Sequence, residues 1–146
     1  MYNIKVIFCV GLRCPKMKGN MTMNISEMKV LVCDDSILVR KKLSDLLKKT
    51  GITQIIEAKD GVQAVELYKE NKPDIVFMDI VMPVKTGLDA LVEIREFDEN
   101  ARVVMASTIG TQSHLVSAIK AGAYQFLQKP LREDEVTKII TKLTEN

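Results

Sequence analysis

The chain has no tryptophan, a single histidine, and only three cysteines and four prolines in 146 residues. Its few aromatic residues do not interleave with basic ones, so the stacking platform of a single-stranded nucleic-acid binder is missing. A net charge of +2 argues neither for nor against a polyanionic partner, and on the missing stacking platform no nucleic-acid partner is expected. Cys9, Cys14 and Cys33 are an odd number without framework spacing, which reads as free thiols in a reducing compartment. Cys9 and Cys14 lack the second Cys/His pair that would complete a tetrahedral metal site. No apolar run approaches the roughly 18 residues of a membrane span. The apolar stretch "IKVIFCVGL" is interrupted by Lys5 and followed by Arg13, Lys16 and Lys18, the reverse of a secretory signal. These absences lead to the expectation of a cytoplasmic protein with no membrane partner, acting as a monomer.

The remaining composition, 47% hydrophobic and 27% charged, is that of an ordinary globular domain, and the length suits one such domain. Residues 1–27 hold several methionines and no periodicity, whereas a regular pattern begins near Lys29. The expectation is an N-terminal extension over 1–27 followed by a single domain over 28–146. The extension is a disordered tail or the product of a start placed too far upstream, with Met21, Met23 or Met28 as the natural first residue; a less favoured reading is that "YNIKVIFCVGL" adds a strand or docks a partner. The intact mass of natively expressed protein tests the downstream start, which a mass matching the full chain rules out.

From Lys29 onward, apolar runs alternate with amphipathic segments. "KVLVCD" (29–34), "TQIIEA" (53–58), "DIVFMD" (74–79), "ARVVMAS" (101–107) and "AYQFLQ" (123–128) read as strands. Between and after them, apolar residues recur at helical spacing: Val39, Leu43, Leu46 and Leu47; Ala64, Val65 and Tyr68; Leu88, Leu91 and Val92; then Val136, Ile139, Ile140 and Leu143. Ser36 and Asp60 suit N-caps, and Gly51 suits the position just past a helix end. Strict alternation implies right-handed crossovers, hence a doubly wound α/β fold with a five-stranded parallel sheet and five helices.

In such folds the chemistry lies beyond the C-terminal ends of the strands. Asp34 and Asp35 end the first strand, Asp79 the third, Ser107 the fourth, and Lys129 the fifth. Any one of these is an ordinary cap or turn residue. Their coincidence at equivalent strand ends is not explained that way. Three carboxylates in one pocket repel one another unless a cation joins them. A few hard oxygen ligands suit Mg²⁺. With the Lys129 ammonium and the Ser107 hydroxyl, the set has the parts for holding a phosphoryl group, one carboxylate serving as nucleophile.

"CDD" at 33–35, "MDIVMP" at 78–83 followed by Gly87, Ser107 after "VVMA", and "KP" at 129–130 make the chain resemble the response-regulator receiver domains of two-component signalling, over roughly residues 28 to 146. The resemblance implies a flavodoxin-like strand order 2-1-3-4-5 and phosphorylation of Asp79 by a partner histidine kinase. It implies Mg²⁺ held by Asp34, Asp35, Asp79 and the backbone carbonyl of Val81. Ser107 and Lys129 would receive the phosphoryl group, and Phe126 would stand where relatives often carry a two-state aromatic reporter. A cis Lys129–Pro130 bond is implied as well.

The stretch "MASTIGTQSHLVSAIKAGAYQFLQKP" looks most like the stand-alone chemotaxis type. That likeness implies a docking regulator rather than an enzyme, with Lys120, Tyr124 and Phe126 on a face formed by the fourth helix, fifth strand and fifth helix. The implied target is a flagellar-motor switch protein, or, in a relay, a histidine phosphotransfer protein. A reading from another class is a Mg²⁺-dependent phosphatase with an aspartyl nucleophile, but such enzymes commonly carry a second acid where this chain has Val81. A docking module indifferent to phosphate is a further reading, disfavoured because the full set of site residues is present. Val81, Thr108 and Ile109 are the expected tuning positions. Thr108 is larger than the residue usual after the switch hydroxyl, and Val81 and Ile109 are too apolar to orient water. A long-lived aspartyl phosphate is expected.

Overall fold

The computed structural model describes residues 24–108 and 112–145. Cys9, Cys14, Ile109 and the candidate starts Met21 and Met23 lie outside them. The strands are β1 (Lys29–Cys33), β2 (Gln54–Ala58), β3 (Ile75–Asp79), β4 (Val103–Ser107) and β5 (Gln125–Gln128). The helices are α1 (Ile37–Lys49), α2 (Gly61–Asn71), α3 (Gly87–Phe97), α4 (Gln112–Lys120) and α5 (Glu133–Thr144). All neighbouring strands are parallel, in the order β2-β1-β3-β4-β5. The expected doubly wound α/β fold is therefore the observed one. The strands begin up to two residues later than the apolar runs suggested: Ala101, Arg102, Ala123 and Tyr124 precede the paired residues of β4 and β5, although the Arg102 carbonyl accepts from the Val76 N–H at 2.9 Å and the Tyr124 N–H donates to the Val103 carbonyl at 2.8 Å. Among the described residues no helix is long and apolar enough to cross a membrane.

Strand alternation sorts the core into two layers. Val30, Val32, Ile75, Phe77, Val104 and Leu127 face α1 and α5, where Leu43, Leu47, Val136, Ile139, Ile140 and Leu143 meet them. Leu31, Cys33, Val76, Met78, Val103 and Met105 face α2, α3 and α4. The central strands β1, β3 and β4 are buried almost throughout, while the edge strands β2 and β5 are partly exposed. One expected inward residue differs: Val92 is exposed, and α3 packs instead through Ala90, Leu91 and Ile94.

The helix boundaries follow local chemistry. Ser36 caps α1 by accepting from the Val39 N–H, and Asp60 caps α2 by accepting from the Gln63 N–H. Gly51, at φ +107°, takes the left-handed turn just past α1, where a side chain would be strained. Before β1, Asn24–Glu27 makes a short turn tied to the approach to β2, with the Thr53 hydroxyl donating to the Ser26 carbonyl at 3.2 Å. Met28 is fully buried beyond it.

Ser44 is buried on α1, and its hydroxyl has no hydrogen-bond partner. Ser44→Ala removes that desolvated group and improves helix propensity. It is expected to raise unfolding free energy by about 1 kcal/mol, checked by urea denaturation.

Candidate functional site

The sheet register aligns the strand ends. Cys33 pairs with Met78, Asp79 with Ala106, and Ser107 with Gln128. The ladder then runs one residue further at each junction: the Asp34 N–H donates to the Ala58 carbonyl at 3.1 Å, Ile80 to Ala106 at 3.0 Å, and Lys129 to Ser107 at 2.9 Å. These bonds fix the backbone on which the polar side chains stand. Alternation then decides which of them meet. Asp34, Asp79 and Lys129 continue the row of Val32, Phe77 and Leu127, on the α1/α5 side. Ser107 continues the row of Met105, on the other side.

The contacts agree with that parity. The Lys129 ammonium pairs with the Asp34 carboxylate and lies 3.2 Å from Asp79 Oδ2. All three side chains are at least nine-tenths buried. Asp35 is exposed, yet it offers a carboxylate oxygen to the same cluster: one oxygen each from Asp34, Asp35 and Asp79 lie within 4.8 Å of one another. Asp34 also shapes its own loop, accepting from the Ser36 N–H at 2.9 Å. Ser107 is buried at the same edge. Phe126 is half-buried against the α2–α4 layer. Thr108 is exposed and lines a groove beside Lys129. The side chain of Val81 is 56% exposed, while its backbone N–H donates to the Asp79 carboxylate. The Lys129–Pro130 peptide is cis.

The electrostatics are those of an under-neutralised acid pocket. Burial pushes the Asp79 carboxyl above the usual carboxylate range. The adjacent Lys129 ammonium opposes that rise, and Asp34 adds to it. Burial pulls the Lys129 ammonium down, but its bonds to Asp34 and Asp79 outweigh this and raise it overall. One ammonium thus faces three carboxylates. The set fits a small divalent cation: all-oxygen, anionic, and clustered on a scale comparable with the ~4.2 Å between opposite oxygens of an octahedral Mg²⁺ shell. Beneath it, burial and the neighbouring Asp34 push the Cys33 thiol far up, leaving it an inert part of the core.

Residues 30–141 match the family described as the response regulator receiver domain. The chain belongs to that family. It is 45% identical to the chemotaxis protein CheY of Bacillus subtilis over 78% of this chain and 95% of the relative. To the CheY of Thermotoga maritima it is 43% identical, over 80% and 97%. Among solved structures it is similar to the CheY of Borrelia burgdorferi in a CheX-CheY-BeF3-Mg²⁺ complex, with TM-score 0.75 and 37% identity, covering 79% of this chain and 87% of that one. The receiver is thus of the chemotaxis type.

Three supporting details of this receiver were not legible in the sequence, although Gly87 itself belongs to the motif that carried the resemblance. Arg40 on α1 donates to the Asp34 carbonyl at 2.6 Å and to Glu57 of β2 at 2.8 Å, bracing the loop that carries Asp34 and Asp35. Its place one turn after the Ser36 cap was the available signal. Gly87 packs directly on the Asp79 backbone. Val84 holds φ +69° in the loop after Asp79, where a β-branched residue is strained.

Proposed function

We propose that this receiver is a phosphorylation-switched docking regulator in which Asp79 is the phosphoryl acceptor.

 The single observation that carries this reading is the buried Asp34–Lys129–Asp79 cluster, with Asp35 beside it, at the C-terminal edge of the sheet. A carboxylate oxygen of Asp79 attacks the phosphorus of a phosphohistidine on a partner kinase. The N–P bond breaks, its electron pair returns to the imidazole, and an acyl phosphate forms on Asp79. Asp34, Asp35, Asp79 and the Val81 carbonyl are the proposed ligands for Mg²⁺, which when bound supplies neutralising charge at the phosphoryl oxygens. Lys129, already aimed between Asp34 and Asp79, is placed to pair with the new anion, and the Ser107 hydroxyl to donate to it. The Borrelia relative, solved with BeF3 and Mg²⁺, supports the choice of ion and of a phosphoryl-like group.

The proposed output face is formed by α4, β5 and α5. Val116, Ile119 and Tyr124 are exposed there, with Lys120 beside them and Phe126 half-buried beneath. A protein target, in the manner of a motor switch or a CheX-like partner, docks on that face when Asp79 is phosphorylated. The receiver itself turns over no separate substrate. Capture of a motor-switch protein by immobilised receiver tests this: retention is expected to rise when acyl phosphate and Mg²⁺ are present, and equal retention in both states contradicts it.

The exposed, apolar Val81 side chain offers no group to polarise a water near Asp79. Loss of phosphate from the purified receiver is expected to take minutes or more, followed by phosphate release after donor removal. Val81→Asn, which supplies an amide to hold that water, is expected to shorten the lifetime several-fold.

A further inference from the structure

The two adjacent acids of the pocket differ in how the fold holds them. Asp34 is tied at every polar atom. Its N–H donates to the Ala58 carbonyl at 3.1 Å, one carboxylate oxygen accepts from the Ser36 N–H at 2.9 Å, and the other pairs with Lys129. Its carbonyl accepts from Arg40 Nη1 at 2.6 Å. Asp35 is exposed, so packing does little to place it, yet its carboxylate joins the same cluster. A covalent link carries order from one acid to the other. The Asp34 carbonyl belongs to the planar peptide that ends at the Asp35 Cα. Whatever fixes that carbonyl fixes the plane from which the Asp35 side chain departs.

Arg40 is built to fix it. It lies one turn into α1, and its own N–H donates to the Ser36 carbonyl at 3.0 Å, so the cap of the helix sets its backbone. The side chain is only 13% exposed. Nε donates to Glu57 Oε1 at 2.8 Å while Nη1 holds the Asp34 carbonyl. A planar fork makes two such directed bonds at once, which an ammonium on a flexible stem does not reproduce. Glu57 stands on β2 opposite Val32 of β1. The sheet thus anchors the guanidinium, and the guanidinium anchors the loop.

The charge and the geometry of Arg40 act on a bound cation in opposite directions. A guanidinium on the Asp34 carbonyl repels a divalent ion, so removing its charge alone tightens metal binding. Its hold on the 34–35 peptide keeps two ligands in place, so removing that hold alone weakens binding. We propose that Arg40 is a positioning residue for the metal: it braces the Asp34–Asp35 peptide against Glu57 so that both carboxylates meet one divalent ion, and it sets Mg²⁺ affinity without entering the chemistry at Asp79. The inference rests on the Mg²⁺ reading of the acid cluster given above.

Calorimetric titration of the full chain with MgCl₂, in the absence of any phosphodonor, reads that affinity directly. In Arg40→Met, which keeps an apolar stem and removes both donors, the Mg²⁺ dissociation constant is expected to rise about tenfold. Arg40→Lys keeps the charge without the fork, and its dissociation constant is expected to rise as well. Glu57→Gln, at a half-exposed residue, is expected to raise it about two- to fivefold. Uptake from acetyl phosphate at saturating Mg²⁺ is expected to stay within about twofold of wild type in all three, with only the half-saturating Mg²⁺ concentration shifted. A lower melting midpoint in chelator with an unchanged dissociation constant makes Arg40 merely structural and overturns the proposal. So does tighter Mg²⁺ binding in Arg40→Met, or a lower saturated rate at unchanged affinity. Should Arg40→Met fail to fold, Arg40→Lys and Glu57→Gln decide the matter by the same readouts. A wild-type receiver that binds no Mg²⁺ overturns the metal reading itself, and this inference with it.

Discussion

Phosphoryl uptake is expected to vanish in the Asp79→Asn protein, while the same protein melts above wild type in buffer free of divalent ions. The first result follows from chemistry. An amide is a poor nucleophile, and removing a covalent nucleophile costs roughly 10³-fold or more in rate. Intact mass after incubation with acetyl phosphate and Mg²⁺ reads it directly. The second follows from the apo pocket, where one ammonium faces three carboxylates. Asparagine keeps the volume and removes one charge, while Lys129 keeps its pairing with Asp34. The expected gain is about 1 kcal/mol, or roughly 3–5 °C for a domain of this size.

The pH dependence has a definite sign. Burial, against the pull of Lys129, raises the folded-state pKa of Asp79. Its contribution to stability is therefore present below the unfolded-state value, about 3.9, and is lost as pH rises through the folded value. The advantage of the asparagine protein should open above about pH 4 and grow toward neutrality. Mg²⁺ should then close or reverse the gap, since a ligand at a hundredfold excess over its dissociation constant stabilises the folded state by about 2.7 kcal/mol. Wild type melting above Asp79→Asn without metal would contradict the account of the pocket.

Gly87→Ala is expected to cost roughly 3 kcal/mol and to slow phosphoryl uptake with it. An added Cβ would lie 2.0 Å from the Asp79 carbonyl oxygen and 2.9 Å from Ile80 Cα. Both are backbone atoms of the strand end, so no side chain can swing away. The Gly87 N–H also donates to the Ile80 carbonyl at 2.8 Å, pinning the start of α3 to the site. Helix propensity alone favours alanine by about 1 kcal/mol, so the sign of the result separates the two effects. Relief of the clash must move either α3 or Asp79. A lower urea midpoint with an unchanged denaturant slope checks the stability, and a change under about 0.5 kcal/mol would contradict the packing argument.

The layers of this fold were legible because the central strands are continuous apolar runs and α1 and α2 carry their own side-chain caps, Ser36 and Asp60. The acid pocket was legible for a related reason. Asp34, Asp79 and Lys129 interrupt apolar runs at equivalent strand ends, and the parallel register brings such ends together. What stayed hidden depended on neighbours distant in sequence. Val92 shares a helical face with Leu88 and Leu91, yet α3 buries Gly87, Ala90, Leu91 and Ile94 and leaves Val92 exposed, with Gly87 packed on the Asp79 backbone. The closeness of Gly87 to Asp79 leaves no mark in periodicity. Val84 is disfavoured by local propensity in the turn it occupies, so no local signal announces that turn. The direct link from Lys129 to Asp34 across the sheet emerges only once strand parity and order are combined.

The central claim is that three clustered carboxylates gather one divalent ion so that Asp79 can be phosphorylated. The initial rate of mass gain from acetyl phosphate, measured against Mg²⁺ concentration, tests it most directly. A rate that is negligible in chelator, rises to saturation with Mg²⁺, and places the phosphoryl group on the peptide containing Asp79 is the predicted result. Uptake that is indifferent to Mg²⁺, or that falls on another residue, would contradict it.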